Sequence, residues 1–232
     1  MTAVTSPTSH SSPYESTLRQ GVTALGLSLN DTQITQLLGY HALIQKWNKV
    51  YNLTAIREPG EMLTHHLLDG LAIVAPLIRQ TAGASVNMLD VGAGAGLPGV
   101  VVAICCPQVS VTCVDAVAKK MAFVQQAATE LKLPNLKALH ARVETLTDKY
   151  DIITSRAFAT LLDFVTGSRA ALKPATGVWL AMKAKDTSVE VAALPADVEV
   201  FHVEQLSVPG LDAERCIVWM QENQSKLLSF LA

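Results

Sequence analysis

The hydrophobic pattern changes character along the chain. In the first third, apolar residues recur at helical spacing, and one stripe predicts an amphipathic helix that begins after a capping residue, Asn30 or Asp31. That stripe comprises Ile34, Leu37, Leu38, His41, Ile44, Trp47 and Val50. A second helical stretch is predicted over about 59–78, where Pro59 suits a first helical turn. We therefore expect residues 16–82 to form an N-terminal helical extension.

From Gly83 onward, short apolar runs alternate with helical stretches, which favours a parallel sheet with crossover helices. The predicted strands are Val86–Val91, Ser110–Asp115, Leu136–His140, Tyr150–Ser155, Val178–Met182, Val198–Gln205 and Arg215–Met220. Helices are predicted at Pro98–Cys105, Ala118–Leu131, Leu161–Leu172 and Thr187–Leu194. The segment 208–212 is too short for a crossover helix, so the last strand should return antiparallel. Residues 83–232 are thus predicted to form an α/β domain with a seven-stranded, mostly parallel sheet.

Composition and charge narrow the classes of protein that the chain can represent. Of 232 residues, 50% are hydrophobic and 16% are charged, which excludes disorder over most of the length. The formal net charge of −2 excludes a basic field over the whole protein, so any contact with nucleic acid must come from a local cluster. Residues 1–15 are rich in Ser and Thr and are predicted to form a disordered tail.

The cysteines and the apolar segments bear on location. Four cysteines lack the spacing of a disulfide framework or a metal site, and the N-terminus lacks the layout of a secretory signal. The uncharged stretch Val91–Val114 is broken by glycine and proline into pieces too short to cross a bilayer. We therefore expect a cytoplasmic protein with no membrane partner and no metal.

The strongest local motif joins a buried strand to a glycine-rich loop and then to a helix. Gly92, Gly94 and Gly96 follow Asp90, an arrangement that lets backbone N–H groups approach an anionic ligand. Leu97 stands where a dinucleotide fingerprint needs its third glycine. The spacing resembles the first motif of class I methyltransferases, which bind S-adenosyl-L-methionine, and a tight turn without a ligand is the alternative.

Two further positions suit an adenosine ligand. Asp115 ends the second predicted strand, where an acidic side chain can accept hydrogen bonds from ribose hydroxyls; capping the helix near Ala118 is its alternative role. Val143 and Glu144 follow the third predicted strand, where class I methyltransferases commonly place a backbone amide and an acidic side chain against adenine. An exposed, solvated Glu144 is equally compatible with the spacing.

Cations follow the next strands. Arg156, Lys183 and Lys185 come at or after the fourth and fifth strands, and Arg215 opens the antiparallel last strand, so all four are expected on the rim that holds the glycine loop. Four cations at one mouth indicate an anionic substrate such as RNA phosphate. Simple solvation is the alternative, and it is the favoured interpretation of Lys185.

Taken together, several motifs resemble the RsmG (GidB) family of bacterial 16S rRNA guanine-N7 methyltransferases. They are Trp47-Asn48-x-x-x-Asn52-Leu53-Thr54, His66-x-x-Asp69, Leu89-Asp90-Val91-Gly92-x-Gly94-x-Gly96-Leu97-Pro98-Gly99 and Ser155-Arg156-Ala157-Phe158-Ala159. The resemblance implies a class I (Rossmann-like) fold, an S-adenosyl-L-methionine donor and a guanine in the 530 loop of the small ribosomal subunit. The predicted donor-site residues are Gly92, Gly94, Gly96, Leu97, Asp115, Val143, Glu144 and Arg156. The predicted RNA-side residues are His66, Asp69, Lys183 and Arg215.

The chemistry of guanine N7 predicts catalysis by positioning. This nitrogen already presents a lone pair, so no side chain must remove a proton, and Arg156 and Lys183 are candidates for positioning only. We expect His66 to pair with Asp69 three residues later rather than to bind a metal. The expected partner is 16S rRNA or a small-subunit particle, and the protein itself is expected to be a monomer. A methyltransferase for a small molecule or a protein, and a non-enzymatic RNA-binding assembly factor, are the alternatives.

Overall fold

The computed structural model describes residues 13–157, 160–184 and 187–223. Most of the predicted tail therefore lies outside the described residues, and the domain boundaries at 16 and 83 stay predictions. The helices before the sheet are α1 (Glu15–Ala24), α2 (Asp31–Tyr51), α3 (Pro59–Met62), α4 (Asp69–Leu71) and α5 (Val74–Thr81). A π-helical turn, Leu63–Leu68, joins α3 to α4.

Helix α2 confirms the predicted amphipathic helix and its cap. The Asn30 side chain accepts a hydrogen bond from the Gln33 backbone N–H at 2.9 Å, and the Gln33 side chain accepts one from the Asn30 N–H at 3.0 Å. This reciprocal capping box satisfies two backbone donors that the first turn leaves unpaired. The predicted stripe fails at one position, because Val50 is 71% exposed. Its burial was a wrong prediction, since the end of α2 continues past the elements on which the helix packs.

The second predicted helix is also more irregular than its pattern suggests. Between Pro59 and Thr81 the π-helical turn interrupts the α-helical hydrogen bonding, and the helix ends three residues later than predicted. The most apolar 18-residue window of this stretch has a mean hydropathy of 1.2, as a membrane span would, but 72% of that window is buried within the fold, and a buried core helix meets the same test.

The sheet confirms the predicted α/β class. Its strands are β1 (Asn87–Val91), β2 (Ser110–Asp115), β3 (Leu136–His140), β4 (Ile152–Arg156), β5 (Val178–Lys183), β6 (Val198–Leu206) and β7 (Arg215–Glu222). The spatial order is β3-β2-β1-β4-β5-β7-β6. Strands β1 to β5 pair in parallel, whereas β7 is antiparallel to both β5 and β6. The order reverses between β1 and β4, and α/β sheets bind ligands at such a switch point.

Helices cover both faces of the sheet. They are α6 (Gly99–Cys105), α7 (Ala118–Glu130), α8 (Leu161–Ser168) and α9 (Ser188–Ala192), with short 3₁₀ turns at Val143–Thr145 and Arg169–Ala171. One hydrophobic cluster joins α1, α2, α6 and α7 to one face of the sheet, and a second joins α8 to the other face. Because α2 and the Pro59–Thr81 stretch share the larger cluster with the sheet, the N-terminal helices form one wall around the switch point.

Candidate functional site

A cavity of about 700 Å³ opens at the carboxyl ends of β1, β4 and β5, where β7 begins. This volume lies in the range of small-molecule sites. Eight of the predicted site residues line it: His66, Asp69, Gly92, Gly94, Leu97, Arg156, Lys183 and Arg215. Four others do not: Gly96, Asp115, Val143 and Glu144. The cavity therefore unites most of the predicted donor-side and RNA-side residues in one place.

The first two glycines of the loop face the cavity. Gly92 and Gly94 have φ values of +64° and +59°, a left-handed conformation that side chains with a Cβ rarely adopt. A Cβ at Gly94 would meet no heavy atom closer than the Gly92 carbonyl oxygen at 3.9 Å. No packing within the protein thus requires a glycine at this position. A larger side chain would instead extend into the cavity that Gly94 lines.

The later glycines serve packing within the protein. A Cβ at Gly96 would clash with the side chain of Val100, and a Cβ at Gly99 would lie 2.5 Å from the Cys113 sulfur. The loop is also held from the helical side, because the Tyr40 hydroxyl donates a hydrogen bond to the Ala95 carbonyl at 2.6 Å. The glycine motif therefore combines an open half that faces the cavity with a packed half that supports it.

Two carboxylates support the loop from below. Asp90 is fully buried, and its Oδ2 accepts a hydrogen bond from the Gly99 N–H at 2.8 Å, while its Oδ1 has no partner among the described residues. Burial raises the pKa of Asp90 to about 7, although the Gly99 N–H acts in the opposite direction. Asp115 accepts hydrogen bonds from the Gly94 N–H at 3.0 Å and the Val117 N–H at 2.8 Å. Asp115 thus orients the loop, and its contact with ribose stays a prediction.

The predicted adenine-side pair lies in the 3₁₀ turn after β3. The side chain of Val143 is buried in the second hydrophobic cluster, whereas Glu144 is exposed. Neither lines the cavity, so their contact with adenine also stays a prediction.

The opposite wall of the cavity is built around one buried carboxylate. Arg156 donates from Nη1 to Asp69 Oδ2 at 2.9 Å and to the His65 carbonyl at 2.8 Å, and Arg215 donates from Nε to Asp69 Oδ1 at 2.9 Å. The Asp69 side chain is only 4% exposed. The predicted convergence of Arg156 and Arg215 on one rim is confirmed, and Asp69 is the residue that fixes both guanidinium groups.

The charge of this wall is lower than the sequence suggests. Lys183 forms an ion pair with Glu190 at 2.7 Å. The described cations of the wall are therefore Arg156, Lys183 and Arg215, and they face the carboxylates of Asp69 and Glu190. The formal charge of these five side chains is +1. The sequence predicts the cations of this rim but not the two carboxylates that pair with them in the described part of the chain. Lys185 lies outside the described residues.

His66 is oriented differently from its prediction. Its Nε2 lies 2.8 Å from the Thr54 hydroxyl, while both carboxylate oxygens of Asp69 accept hydrogen bonds from arginines. The expected pairing of His66 with Asp69 is thus wrong, because the π-helical turn changes the spacing that an α-helix would give. Burial, reinforced by the nearby Arg156, lowers the pKa of His66 to about 4. The imidazole is therefore neutral at physiological pH.

Sequence reasoning missed four residues that shape the site: Tyr40, Thr54, Asp90 and Glu190. Asp90 could have been found, since it directly precedes the glycine loop and a buried strand end rarely tolerates a carboxylate without a role. The contact of Tyr40 spans 55 positions, and no local signal indicates it. Glu190 is much nearer in sequence to Lys183, with which it pairs.

The cysteines add no further chemistry. All four are buried and none forms a disulfide, and burial raises the pKa of Cys106 to about 11. Within the ranges that the structure describes, no group of three or more His, Cys, Asp or Glu side chains is arranged to hold a metal ion.

Comparisons of fold give remote similarities. A solved SAM-dependent methyltransferase from Aquifex aeolicus superposes with a TM-score of 0.53 at 15% identity, covering 70% of this chain and 98% of that one. TrmN from Thermus thermophilus gives a TM-score of 0.53 at 18% identity, covering 66% of this chain and 48% of that one. At these identities the similarity establishes the class I methyltransferase fold alone.

Comparisons of sequence are much closer. A protein of Albidiferax ferrireducens named ribosomal RNA small subunit methyltransferase G is 63% identical over 219 residues, covering 90% of this chain and 97% of that protein. A protein of the same name from a Polaromonas species is 64% identical over 213 residues, covering 89% and 93%. The family model described as GidB, rRNA small subunit methyltransferase G, matches residues 33–218. With most of its length matched in this way, the chain belongs to the rRNA small subunit methyltransferase G (GidB) family.

Proposed function

We propose that this protein transfers a methyl group from S-adenosyl-L-methionine to N7 of a guanine in 16S rRNA, in the 530 loop, as a cytoplasmic enzyme. The observation that carries the proposal is one cavity in which an open glycine loop faces an anchored arginine pair, in a chain of this family. The guanine, its position and the donor follow from the family resemblance, and the geometry supports them as follows.

The residues present fit the proposed donor. The open side of Gly92 and Gly94 leaves room for a ligand against the loop, and the guanidinium of Arg156 suits the carboxylate of its methionine part. Asp115 ends β2 and suits the ribose of the donor. Glu144 follows the neighbouring strand β3 and suits the adenine. When bound, the donor supplies a methyl group on a positively charged sulfur. The protein's task is to hold that methyl in line with the acceptor nitrogen.

The electrostatics of the cavity suit a reaction in which positive charge passes to the base. A free cation pressed against the guanine would oppose that transfer, but Asp69 and Glu190 offset most of the positive charge on this wall. We assign Arg156 and Lys183 to positioning and no residue to proton removal. His66, with its low pKa, is a weak base and suits a hydrogen-bonding role toward the substrate.

Transfer of labelled methyl to small-subunit rRNA tests the proposal directly. Small subunits and naked rRNA from cells lacking the protein would be incubated with methyl-labelled donor, digested to nucleosides and separated. We expect the label in 7-methylguanosine. Label in another nucleoside, in ribosomal protein or in a small molecule would establish a different acceptor, and donor binding without transfer to any of them would indicate an assembly factor.

The pH dependence of the same reaction tests the absence of a general base. Under single-turnover conditions with saturating donor and RNA, we expect a rate that is nearly constant from mildly acidic to mildly alkaline pH. A steep rise near neutrality that His66→Ala abolishes would contradict proton-free transfer and would point to an acceptor that must lose a proton.

A further inference from the structure

The last two turns of α2 form an exposed surface with basic and aromatic side chains. Lys46, Lys49 and Val50 follow the spacing i, i+3 and i+4, so they share one face, and all three are exposed. Trp47 and Tyr51 lie further round the helix, on the side that faces α7, with ring centroids 5.0 Å apart. Tyr51 is 42% exposed. The face that Lys46, Lys49 and Val50 share is exposed and does not line the cavity.

The surface is locally positive in a chain that is slightly negative overall. From Thr32 to Arg57 the sequence contains no Asp or Glu, whereas it contains Lys46, Lys49 and Arg57, a formal charge of +3 against −2 for the whole chain. Unlike the cations of the cavity wall, these three make no ion pair among the described residues, and Arg57 instead donates a hydrogen bond to the Asn52 side chain at 3.2 Å. The positive potential therefore faces solvent.

Helix α2 places this surface at the mouth of the cavity. Tyr40, within α2, contacts the glycine loop through its hydrogen bond to the Ala95 carbonyl. The helix ends at Tyr51, and its C-cap residue, Asn52, has a left-handed conformation (φ +49°) that turns the chain. The residues that follow at once, Leu53 and Thr54, line the cavity. The exposed face thus lies just outside the site that would hold the target base.

A second helix extends the surface. The ring of Trp47 packs edge-to-face on Phe123 of α7, with centroids 5.4 Å apart. Lys119 lies one helical turn before Phe123 on the same side of α7 and is exposed. We define the basic-aromatic patch as Lys46, Lys49, Tyr51, Arg57 and Lys119, with the partly buried Trp47 as the support for Tyr51.

We propose that the basic-aromatic patch binds unpaired nucleotides that flank the target guanine, with its cations on phosphates and Tyr51 stacked on a base. Lysines and arginines along an exposed aromatic ring are the combination that recognises single-stranded RNA. The cavity wall, with a formal charge of +1, supplies little attraction for a polyanion, so the affinity must come from outside the cavity. This inference rests on the proposed function and deepens it.

Charge reversal tests the phosphate contacts. Lys46→Glu/Lys49→Glu would be compared with Lys137→Glu/Lys149→Glu, which makes the same charge change at exposed positions early in β3 and before β4, at the amino ends of the strands and therefore opposite the cavity. With small-subunit rRNA as the probe, the patch variant should bind at least about tenfold more weakly, and its salt slope should fall by about 1.4 units. The control variant should stay within about twofold of the unmodified protein, and calorimetry should show unchanged S-adenosyl-L-methionine affinity for both.

Substitution of the aromatic ring tests stacking separately. Tyr51→Ala should weaken RNA binding about fivefold or more without changing the salt slope, and Tyr51→Phe should restore the affinity. If the patch variants bind rRNA with unchanged affinity and salt slope, while the unmodified protein still methylates the rRNA, the proposed role of the patch is refuted and the proposed function is not. If the patch variants lose binding to a ribosomal protein and keep their affinity for rRNA, the proposed RNA contact is also refuted, in favour of a protein contact. Failure of the unmodified protein to methylate small-subunit rRNA would overturn the proposed function, and the patch with it.

Discussion

The two walls of the cavity are built in different ways. The glycine-loop wall is local in sequence, since Asp90 to Gly99 form one strand, loop and helix start, held by the backbone hydrogen bonds that two carboxylates accept. The cationic wall joins residues that are far apart, because Asp69 contacts Arg156 and Arg215 across 87 and 146 positions. The supports of the first wall come from at most 55 positions away, whereas the second exists only when the N-terminal helices, β4 and β7 have all assembled.

This difference also separates two uses of charge. On the loop wall, carboxylates point at backbone N–H groups and fix a shape that leaves space for the donor. On the cationic wall, carboxylates pair with side-chain cations and reduce the net charge to +1. Damage to the loop wall should therefore affect donor binding but not RNA binding, whereas damage to the cationic wall should affect donor binding and RNA binding together.

The largest effect is expected from Gly94→Val. Gly83→Val is its control, because Gly83 has a similar φ of +72° and no neighbour within 4 Å of its Cβ, but lies outside the cavity. Both variants should lose about 1–2 kcal/mol of unfolding free energy from backbone strain. Only Gly94→Val should also lose S-adenosyl-L-methionine affinity, by about 100-fold, since its side chain enters the ligand space. Equal affinities in calorimetric titration would remove the glycine loop from the donor site.

Asp69→Asn should have the next largest effect. It leaves two partly buried guanidinium groups without their carboxylate, so the unfolding free energy should fall by about 2–3 kcal/mol and both donor and RNA affinities by about tenfold. Asp151→Asn is the control, because Asp151 pairs with the exposed Lys173 at 2.8 Å and should contribute under about 1 kcal/mol. Similar losses in the two variants would show that the buried anchor has no special role.

Lys183→Gln should have a smaller effect. Lys183 already pairs with Glu190, so contact with a phosphate must compete with that ion pair. The salt slope of rRNA binding should fall by at most about 0.7 units, with donor affinity unchanged. Lys173→Gln, which breaks an ion pair of nearly equal length at the amino ends of β4 and β5, opposite the cavity, should leave the slope unaltered. An unaltered slope for Lys183→Gln as well would place Lys183 away from RNA.

The smallest net effect is expected in the pH dependence of stability, where the two walls oppose each other. The pKa of Asp90 is raised from 3.8 to about 7, so its contribution to stability falls as pH rises over that interval. The pKa of His66 is lowered from 6.5 to about 4, so its contribution rises with pH between those values. From pH 4 to 6.5, the free energy of unfolding should rise more steeply with pH in Asp90→Asn than in the unmodified protein. In His66→Ala it should fall with pH over the same interval. Denaturant unfolding at several pH values measures both, and equal slopes in all three proteins would refute these ionisation states.

The contrast between the walls also explains how far the sequence could predict the molecule. All seven strands were predicted to within about two residues at each end, and the capped start of α2 was predicted too, because periodicity and capping are local properties. The pairing of His66 with Thr54 was not predicted, since it depends on a π-helical turn that the apolar spacing does not reveal. The anchoring of the two arginines by Asp69 was missed because those contacts span 87 and 146 positions and form only through tertiary packing.

Mapping of methylated guanines in small-subunit rRNA tests the central claim most directly. The rRNA would be taken from cells that lack the protein and from the same cells supplied with the unmodified protein, Gly94→Val or Gly83→Val. Mass analysis of nuclease fragments and cleavage specific for N7-methylguanine should find one guanine that is methylated with the unmodified protein and with Gly83→Val, and unmethylated in the other two samples. The same N7-methylguanine in cells that lack the protein, or a methyl group that depends on the protein but sits on another atom, would contradict the account.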